Sequence, residues 1–294
     1  DAARAQGGDE EEMDPVARVF LSRLFGAGHP YAVPDPKRGA AYLRIRAEDL
    51  DRWRERFFRA RGATLVISGG FDVTAMKREI DELFGPWSGA EPAVQPFVPP
   101  ARPAKGPSWL AVDDEDASQT TLLIGFATRS DPGRDEAARA VVAEMVGDAL
   151  RDVREGMGAS YGLHARYRSG ASGGMLRVSG DVDESKAAAV LVHVLDALAK
   201  IREGGDDQRA AFVRARKKVL AQMMGRTGGA SAMAGELAWN AAHGHSLRHG
   251  TIVATQVSSL KLEDAVRVAA ADLADERRVV LVSGKRASVD AAYA

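Results

Sequence analysis

Arg154 and Tyr161, two side chains that could act on a carbonyl group, stand seven residues apart. An arginine keeps its positive charge at any working pH, so it can hold an electron-rich group of a substrate. A tyrosine hydroxyl can donate a hydrogen bond while it stays neutral near pH 7. From the spacing alone, the pattern favours a surface arginine and a core tyrosine at an ordinary turn between a helix and a strand.

The elements around this pair follow from the spacing of apolar residues. Upstream, apolar residues recur every three or four positions, which predicts the buried face of a helix that ends at Gly156 and Gly158. Downstream, residues 161–168 and 174–180 read as two strands joined by a glycine- and serine-rich stretch, which predicts a β-hairpin. The arginine is therefore predicted near the end of a helix and the tyrosine at the first residue of a strand. The predicted helical face consists of Ala138, Val141, Val142, Met145, Val146, Leu150 and Val153.

Residue patterns also predict the helices and strands of the other parts of the chain. A helix over 48–61 is predicted to point Leu50, Trp53 and Phe57 inward, and residues 64–68 are predicted to form a short buried strand. The other predicted helices start at Pro15 or cover 72–84, 184–202, 206–224, 231–242 and 262–273, and the other predicted strands cover 109–112, 120–127 and 278–282.

An internal repeat indicates that one motif occurs twice. A helix beginning with Glu-Asp at 48–49 and a strand ending in Ser-Gly at 68–69 recur together 215 residues further along. The second copy begins near Ser108, and 108 minus 215 is −107, so the first copy would begin about a hundred residues before Asp1. We therefore expect this chain to be a piece of a longer protein.

These patterns divide the chain into four stretches. Residues 1–13 are a polar leader predicted to be disordered, and 14–95 are the C-terminal remnant of a first domain. Residues 96–107 contain four prolines within 96–103 and are predicted to be an extended linker. Residues 108–294 form a complete second domain. The predicted fold class is an α/β (α+β) two-layer sandwich, in which a mostly antiparallel sheet carries helices on one face.

The chain from about Asp14 to its end resembles the pitrilysin/insulinase (M16) family of zinc peptidases in the order and spacing of its motifs. Arg154-Glu155, a glycine-containing turn and Tyr161 resemble a hallmark of the second of that family's two homologous halves. The resemblance implies duplicated halves, the first incomplete here, with Arg154 binding the substrate main-chain carbonyl and Tyr161 stabilising the oxyanion in the first half's active site. The other matching stretches are Leu24-Phe25-Gly26, His29-Pro30-Tyr31, 66–72, 83–87 and 118–126.

The family's zinc site is a His-x-x-Glu-His sequence with a further Glu, and this chain contains no such sequence. We therefore assign no metal-binding residue and no cofactor to the chain, and zinc is expected in the full-length protein or in its partner. His245 and His249 have the spacing of a helical ligand pair, with His243 nearby, but no acidic residue accompanies them. The three histidines are interpreted as a helix C-terminal turn that the helix dipole favours.

Composition excludes several classes of function. Forty basic residues against 41 acidic ones give a net charge of −1, which argues against a nucleic-acid-binding surface. No apolar run approaches the roughly 20 residues of a membrane span. The absence of cysteine excludes disulfides, thiolate metal sites and a cysteine nucleophile, and leaves both cytoplasm and periplasm open as compartments.

Two functions of different classes remain. In the first, the chain is the C-terminal part of an M16-like zinc peptidase that acts on peptides or unfolded proteins. In the second, it belongs to a non-catalytic M16-like subunit that serves as a partner or scaffold, with a catalytic subunit of the family or a second copy of itself as its partner. Both predict that the isolated chain is inactive, because it lacks the zinc-binding sequence.

Overall fold

The computed structural model describes residues 15–32, 44–89, 99–102, 106–129, 133, 135–157, 162–170, 173–225 and 228–294, with only the backbone of Pro15, residues 152–154 and Met157. The described helices are α1 (Pro15–Phe25), α2 (Ala47–Phe57), α3 (Val73–Phe84), α4 (Glu136–Met157), α5 (Ala187–Glu203), α6 (Asp206–Gly225), α7 (Ala230–Ala242), α8 (His249–Ser259), α9 (Leu262–Asp272) and α10 (Arg286–Tyr293). The described strands are β1 (Ser108–Asp113), β2 (Thr120–Thr128), β3 (His164–Arg168), β4 (Gly174–Val182) and β5 (Arg278–Gly284).

The five strands form one mixed sheet in the order β1-β5-β2-β4-β3. Strands β2 and β4 pair antiparallel, as do β2 with β5 and β3 with β4, while β1 and β5 pair parallel. The interior strand β5 is buried from Val279 to Gly284, as expected for a strand with neighbours on both edges and cover on both faces. The predicted class, an α/β sandwich with a mostly antiparallel sheet, is confirmed, but helices cover both faces of the sheet and not one face as predicted.

Helix α1 covers one face of this sheet. Phe20 lies directly over Gly125 of β2, where an added Cβ would come within 2.4 Å of the Phe20 ring. Glycine at this position therefore leaves room for a buried aromatic ring. The cluster beneath the helix comprises Phe20, Leu21, Leu24, Phe25, Leu123, Ala127, Met175, Val279 and Leu281.

The loop after α1 is fastened by a buried histidine. The Nδ1 atom of His29 accepts a hydrogen bond from the Tyr31 backbone N–H at 3.1 Å, so its Nε2–H donates to the carbonyl oxygen of Pro99 at 2.8 Å. The backbone N–H of Arg102 also donates to the carbonyl oxygen of Phe25 at 2.9 Å. Residues 99–102 are thereby held across the end of α1, which fixes the helix on the sheet.

Helices α4, α5 and α9 pack against one another and cover the opposite face of the sheet. The predicted apolar face of α4 is confirmed, because its residues from Ala138 to Leu150 are all buried. The strand residues that alternate with the α1-facing set are also buried, and they point toward these helices. They include Leu122, Ile124, Phe126, Val178, Val182, Val280 and Val282.

The chain separates into two compact units. The first contains the described parts of 1–34, 98–221 and 253–294, and the second contains those of 35–97 and 222–252. Helix α1 therefore groups with the sheet of the second predicted domain, although it precedes the proline-rich stretch in the sequence. The predicted leader 1–13 lies outside the described residues, and the other predicted domain boundaries stay predictions.

The strand predicted at 64–68 is wrong: these residues belong to no strand in the structure. The inward orientation predicted for Leu50 and Trp53 is also wrong, since their exposed fractions are 60% and 58%. A strand exists only when a neighbour supplies hydrogen-bond partners, and an apolar helix face is buried only when another element covers it. Neither requirement is met among the described residues of 44–89.

The repeat itself is visible in the helices. Helix α2 and helix α9 both have 11 residues and begin 215 positions apart, at Ala47 and Leu262. Each also begins with the same N-terminal contact, in which the side chain of Asp49 or Asp264 accepts a hydrogen bond from the backbone N–H three residues earlier. The two copies therefore agree in register through the helix, whereas only the second copy contains the strand.

Two helices were not predicted, α8 and α10. Helix α8 contains Gly250 and several Ser and Thr residues, so its sequence shows little apolar periodicity. Helix α10 is short and closes the chain. No described helix is both long enough and apolar enough to cross a bilayer.

Candidate functional site

Charged side chains join the middle of α4 to α6. Lys218 of α6 forms an ion pair with Glu144, and its Nζ atom lies 3.8 Å from Oδ1 of Asp148. The same Asp148 oxygen accepts a hydrogen bond from Arg151 at 2.5 Å. Asp148 is buried, so this cluster holds α4 against α6 two turns before the helix ends.

Helix α4 ends at Met157, between Gly156 and Gly158, the two glycines that were predicted to end it. The backbone of Arg154 belongs to the last turn of the helix, and its side chain lies outside the described residues. Tyr161, like Gly158, is also outside the described residues. The predicted convergence of the arginine and tyrosine side chains therefore stays a prediction.

Directly after Tyr161, the chain is held tightly against β4. An added Cβ at Gly180 would lie 2.8 Å from the carbonyl oxygen of Gly162 and 2.9 Å from Cα of Leu163, so only glycine allows the backbone to pass this closely. Nδ1–H of His164 donates to the Gly162 carbonyl oxygen at 2.8 Å, and Nε2 lies 3.2 Å from the Ser179 hydroxyl, which donates to it. The strand that begins after the tyrosine is thus fixed at its first residue.

Replacing Gly180 with alanine tests this anchor. We expect Gly180→Ala to displace the backbone at residues 162–163 and to lower the free energy of unfolding by about 1–3 kcal/mol, because the new methyl group meets backbone atoms that cannot rotate away. Hydrogen exchange of the Leu163 and His164 amides should rise. Gly147→Ala in α4 is the matched control, since an added Cβ there has no neighbour within 4 Å. Equal behaviour of the two variants would contradict the anchor.

A buried ion pair lies on the other side of β3. Nε of Arg139 at the start of α4 donates to Oδ2 of Asp272 at 2.7 Å, and both side chains are less than a tenth exposed. The guanidinium of Arg139 also lies over the ring of Tyr167 in β3, at 5.9 Å from the ring centroid. The three residues join α4, α9 and β3. Of these elements, α4 precedes the turn that carries the predicted site and β3 follows it.

This environment shifts the pKa of both Arg139 and Tyr167. Burial acts to lower the pKa of Arg139, but the hydrogen bond from Arg139 to Asp272 and the neighbouring charges outweigh it and raise the pKa. Burial raises the pKa of Tyr167, so its hydroxyl stays neutral over a wider pH range than that of a free tyrosine. No sequence pattern pointed to this group, because Arg139 and Asp272 stand 133 residues apart.

The histidine cluster forms an aromatic stack. The rings of His245 and His249 lie 4.1 Å apart with planes 10° from parallel, and the ring of His243 lies 4.1 Å from that of Trp239. Nδ1–H of His243 donates to the Trp239 carbonyl oxygen at 2.8 Å, at the C-terminal end of α7, as the helix-end interpretation predicts. His249, in contrast, begins α8.

This stack does not fit a metal. Imidazole lone pairs lie in the ring plane, so the nitrogens of stacked, parallel rings cannot converge on one ion. Within the part of the chain that the structure describes, no group of three or more His, Asp or Glu side chains could hold a metal ion. The described residues therefore do not fit a zinc site.

Comparison with solved structures extends the description of the fold. The chain aligns with an M16 peptidase inactive domain from Pseudomonas fluorescens at a TM-score of 0.70 and 16% identity, over 92% of this chain and 64% of that one. It aligns with a chain of Complex III2 from Candida albicans at a TM-score of 0.68 and 15% identity, over 93% of this chain and 67% of that one. A third match is the ferredoxin protease FusC, solved in complex with Arabidopsis ferredoxin. Its TM-score is 0.64 at 13% identity, and the alignment covers 92% of this chain and 29% of that one.

These likenesses show the fold, and the chain spans less than two thirds of the Pseudomonas protein's length. No curated protein sequence matches the chain. A family model does match it over residues 44–227, which include the end of α4, β3 and β4. That model describes the peptidase M16 inactive domain. The chain therefore belongs to the M16 peptidase family, as its inactive C-terminal domain.

Proposed function

We propose that this chain is the C-terminal part of a zinc-dependent M16 peptidase and that it supplies Arg154 and Tyr161 to an active site whose zinc-binding half lies elsewhere. That half is carried by the same polypeptide or by a partner subunit. The observation that carries the proposal is the family match over 44–227, within which both residues lie.

The two residues have different roles in this proposal. When water attacks a peptide bond, negative charge builds on the carbonyl oxygen, so a donor aimed at that oxygen stabilises the transition state more than the ground state. Tyr161 supplies that donor. Arg154 holds the substrate main chain through a charge that does not titrate. The contact of Gly180 with Gly162 directly after Tyr161, and the contacts of Lys218 with Glu144 and Asp148 within α4, support a fixed position of the elements that carry the two residues.

The substrate class proposed is a peptide or unfolded protein. The similarity to FusC, which was solved in complex with a protein, supports this class, because the likeness covers 92% of the present chain. Recognition through main-chain groups by an arginine would make binding largely independent of side-chain sequence.

The isolated 294-residue chain is expected to bind no stoichiometric zinc and to cleave no peptide. The reason is that the described residues offer no set of ligands. To measure zinc binding, the chain is exchanged into metal-free buffer, mixed with one equivalent of zinc, desalted and submitted to elemental analysis. A quenched fluorescent peptide library measures peptide cleavage. One tightly held zinc per chain would contradict the proposal.

A second candidate function is that of a non-catalytic subunit. It is favoured by the likeness of this chain's fold to that of a chain of Complex III2. The coding sequence that precedes Asp1 separates the two functions. A His-x-x-Glu-His sequence there supports a self-contained peptidase. The absence of that sequence supports a non-catalytic subunit that serves as a partner or scaffold.

A further inference from the structure

One face of the sheet changes from apolar to basic toward β3. Helix α1 packs mainly on β1, β5 and β2, where the residues beneath it are apolar. Phe20 of α1 lies over Gly125 of β2. Gly125 pairs with Arg177 of β4, and Arg177 in turn pairs with Arg166 of β3. Paired residues of neighbouring strands point to the same face of a sheet, so both arginines lie on the same face as α1.

A third arginine extends this basic surface along β3. Arg168 stands two residues after Arg166, so its side chain points to the same face. Arg166 and Arg168 are exposed, whereas Arg177 is only 8% exposed. Across β2, β3 and β4 as the structure describes them, the acidic side chain on this face is Asp181 alone, and its Oδ1 atom accepts a hydrogen bond from the Thr121 hydroxyl at 2.6 Å. We call Arg166, Arg168 and Arg177 the arginine face.

The arrangement of these charges is unfavourable for the protein alone. Arg166 and Arg177 stand directly opposite each other on neighbouring strands, and like charges in such a pair destabilise a sheet. Because Arg177 is largely buried, its charge is less screened by water and salt than that of an exposed arginine. An anion bound at Arg166 would offset the repulsion. The pair therefore points to a ligand with negative charge.

The spacing of the exposed arginines indicates what kind of anion fits. Arg166 and Arg168 are two residues apart on one strand, which places them about 7 Å apart along it. A peptide in extended form presents every second side chain on one side at the same spacing. Carboxylates at alternate positions of such a peptide would therefore reach both guanidinium groups, which bind carboxylates through paired hydrogen bonds.

A peptide is favoured over a nucleic acid. Proteins that bind single strands supply aromatic rings on which bases stack, and proteins that bind duplexes carry a clustered basic excess. The residues of β2, β3 and β4 that point to this face include no Phe, Tyr or Trp, and the net charge of the chain is −1. An acidic peptide therefore suits the face better than DNA or RNA does.

We propose that the arginine face binds an extended acidic peptide segment whose carboxylates at alternate positions contact Arg166 and Arg168. Strand β3 begins three residues after Tyr161, so a substrate held there would have its acidic stretch close to the bond that is cleaved. Such a preference for acidic substrates rests on the proposed function and deepens it. The binding itself needs no catalysis and is measured on the isolated chain.

Two labelled peptides of equal composition test the binding. The first alternates four Thr with four Glu, and the second carries the four Glu as one block. Fluorescence anisotropy with the 294-residue chain is expected to show at least about 5-fold tighter binding of the alternating peptide, because only that peptide presents all its carboxylates on one side when extended. Raising the salt from about 0.05 M to about 0.5 M should weaken this binding by at least about 5-fold.

A charge reversal identifies the contact. Arg166→Glu should weaken binding of the alternating peptide by about 10-fold, since it replaces an attraction by a repulsion. The variant should fold normally, because a glutamate opposite Arg177 forms a favourable cross-strand pair. Arg214→Glu on α6 is the matched control: Arg214 is also exposed but lies on a helix outside the arginine face, so binding should change less than about 2-fold. Thermal melting followed by circular dichroism checks the fold of both variants.

Kinetics of the complete enzyme separate acidic recognition from the proposed function. There, Arg166→Glu should raise KM by about 10-fold for a substrate that carries the alternating stretch and leave the KM of a neutral substrate within about 2-fold. Tyr161→Phe should lower kcat for both substrates. A failure of the proposed function therefore shows in kcat, whereas a failure of acidic recognition shows in KM and in the binding assay.

Four results would overturn acidic recognition. Absence of binding at up to about 1 mM of the alternating peptide would leave the face without this ligand. Equal affinity for the alternating and the block peptide would mean attraction by charge without a fitted surface. Equal losses in Arg166→Glu and Arg214→Glu would place the peptide elsewhere. Tighter binding of a single-stranded oligonucleotide of equal charge would make a nucleic acid the occupant.

Discussion

Asp272→Ala should lower the free energy of unfolding by about 3–5 kcal/mol, because it leaves the guanidinium of Arg139 buried without its counter-charge. Arg139 and Asp272 are 2.7 Å apart, and both are almost fully removed from solvent. Their loss would also free the ends of α4 and α9 from each other. Urea unfolding followed by circular dichroism measures the effect.

Two further variants separate the buried charge from other effects. Asp290→Ala removes a carboxylate whose partner Arg286 is 67% exposed, so the urea midpoint should stay close to that of the unchanged protein. The double variant Arg139→Met/Asp272→Leu replaces both charges by apolar groups and should regain most of the loss. A loss below about 1 kcal/mol in Asp272→Ala would show that water or another group compensates Arg139.

In an enzyme that contains the complete active site, Tyr161→Phe should lower kcat by about 10²- to 10³-fold, the usual effect of removing one oxyanion donor. Folding should be unchanged, because only one hydroxyl is lost. Arg154→Ala should mainly raise KM, since the arginine is proposed to hold the substrate in the ground state as well as in the transition state. Steady-state kinetics on a peptide substrate measures both.

Tyr167→Phe is the matched control for this prediction. Tyr167 lies in β3, six residues after Tyr161, and its ring faces Arg139 within the protein. Its loss should affect stability slightly and leave kcat unchanged. Full activity in Tyr161→Phe would return that residue to the interpretation of a core tyrosine, and equal losses in both variants would indicate a structural effect on β3.

The sequence predicted those elements whose own residues carry a pattern. The apolar face of α4 has a regular spacing of buried side chains, and β2 and β4 are nearly continuous runs of buried residues, so these elements were recognised close to their observed bounds. Residues 64–68 have the composition of a strand as well, but a strand also needs neighbours, and composition holds no information about whether they are present. The prediction failed there for that reason.

Contacts between distant residues could not be predicted. The pairing of Arg139 with Asp272, the contact of Gly162 with Gly180 and the packing of Phe20 on Gly125 all depend on the fold having brought separate stretches together. Arg154 and Tyr161 were found by resemblance and not by pattern. Their side chains lie outside the described residues. The structure describes the elements on either side of the candidate site, namely the end of α4 and the start of β3.

The position of α1 has a consequence for how the chain folds. The cluster beneath it joins Phe20, near the beginning of the sequence, to Leu281, near its end. During synthesis α1 leaves the ribosome before β5. The sheet face on which α1 packs is therefore complete only after most of the chain has been made. Contacts this distant slow folding and prolong the exposure of apolar surface. Newly made chains are therefore expected to depend on chaperones until β5 enters the sheet.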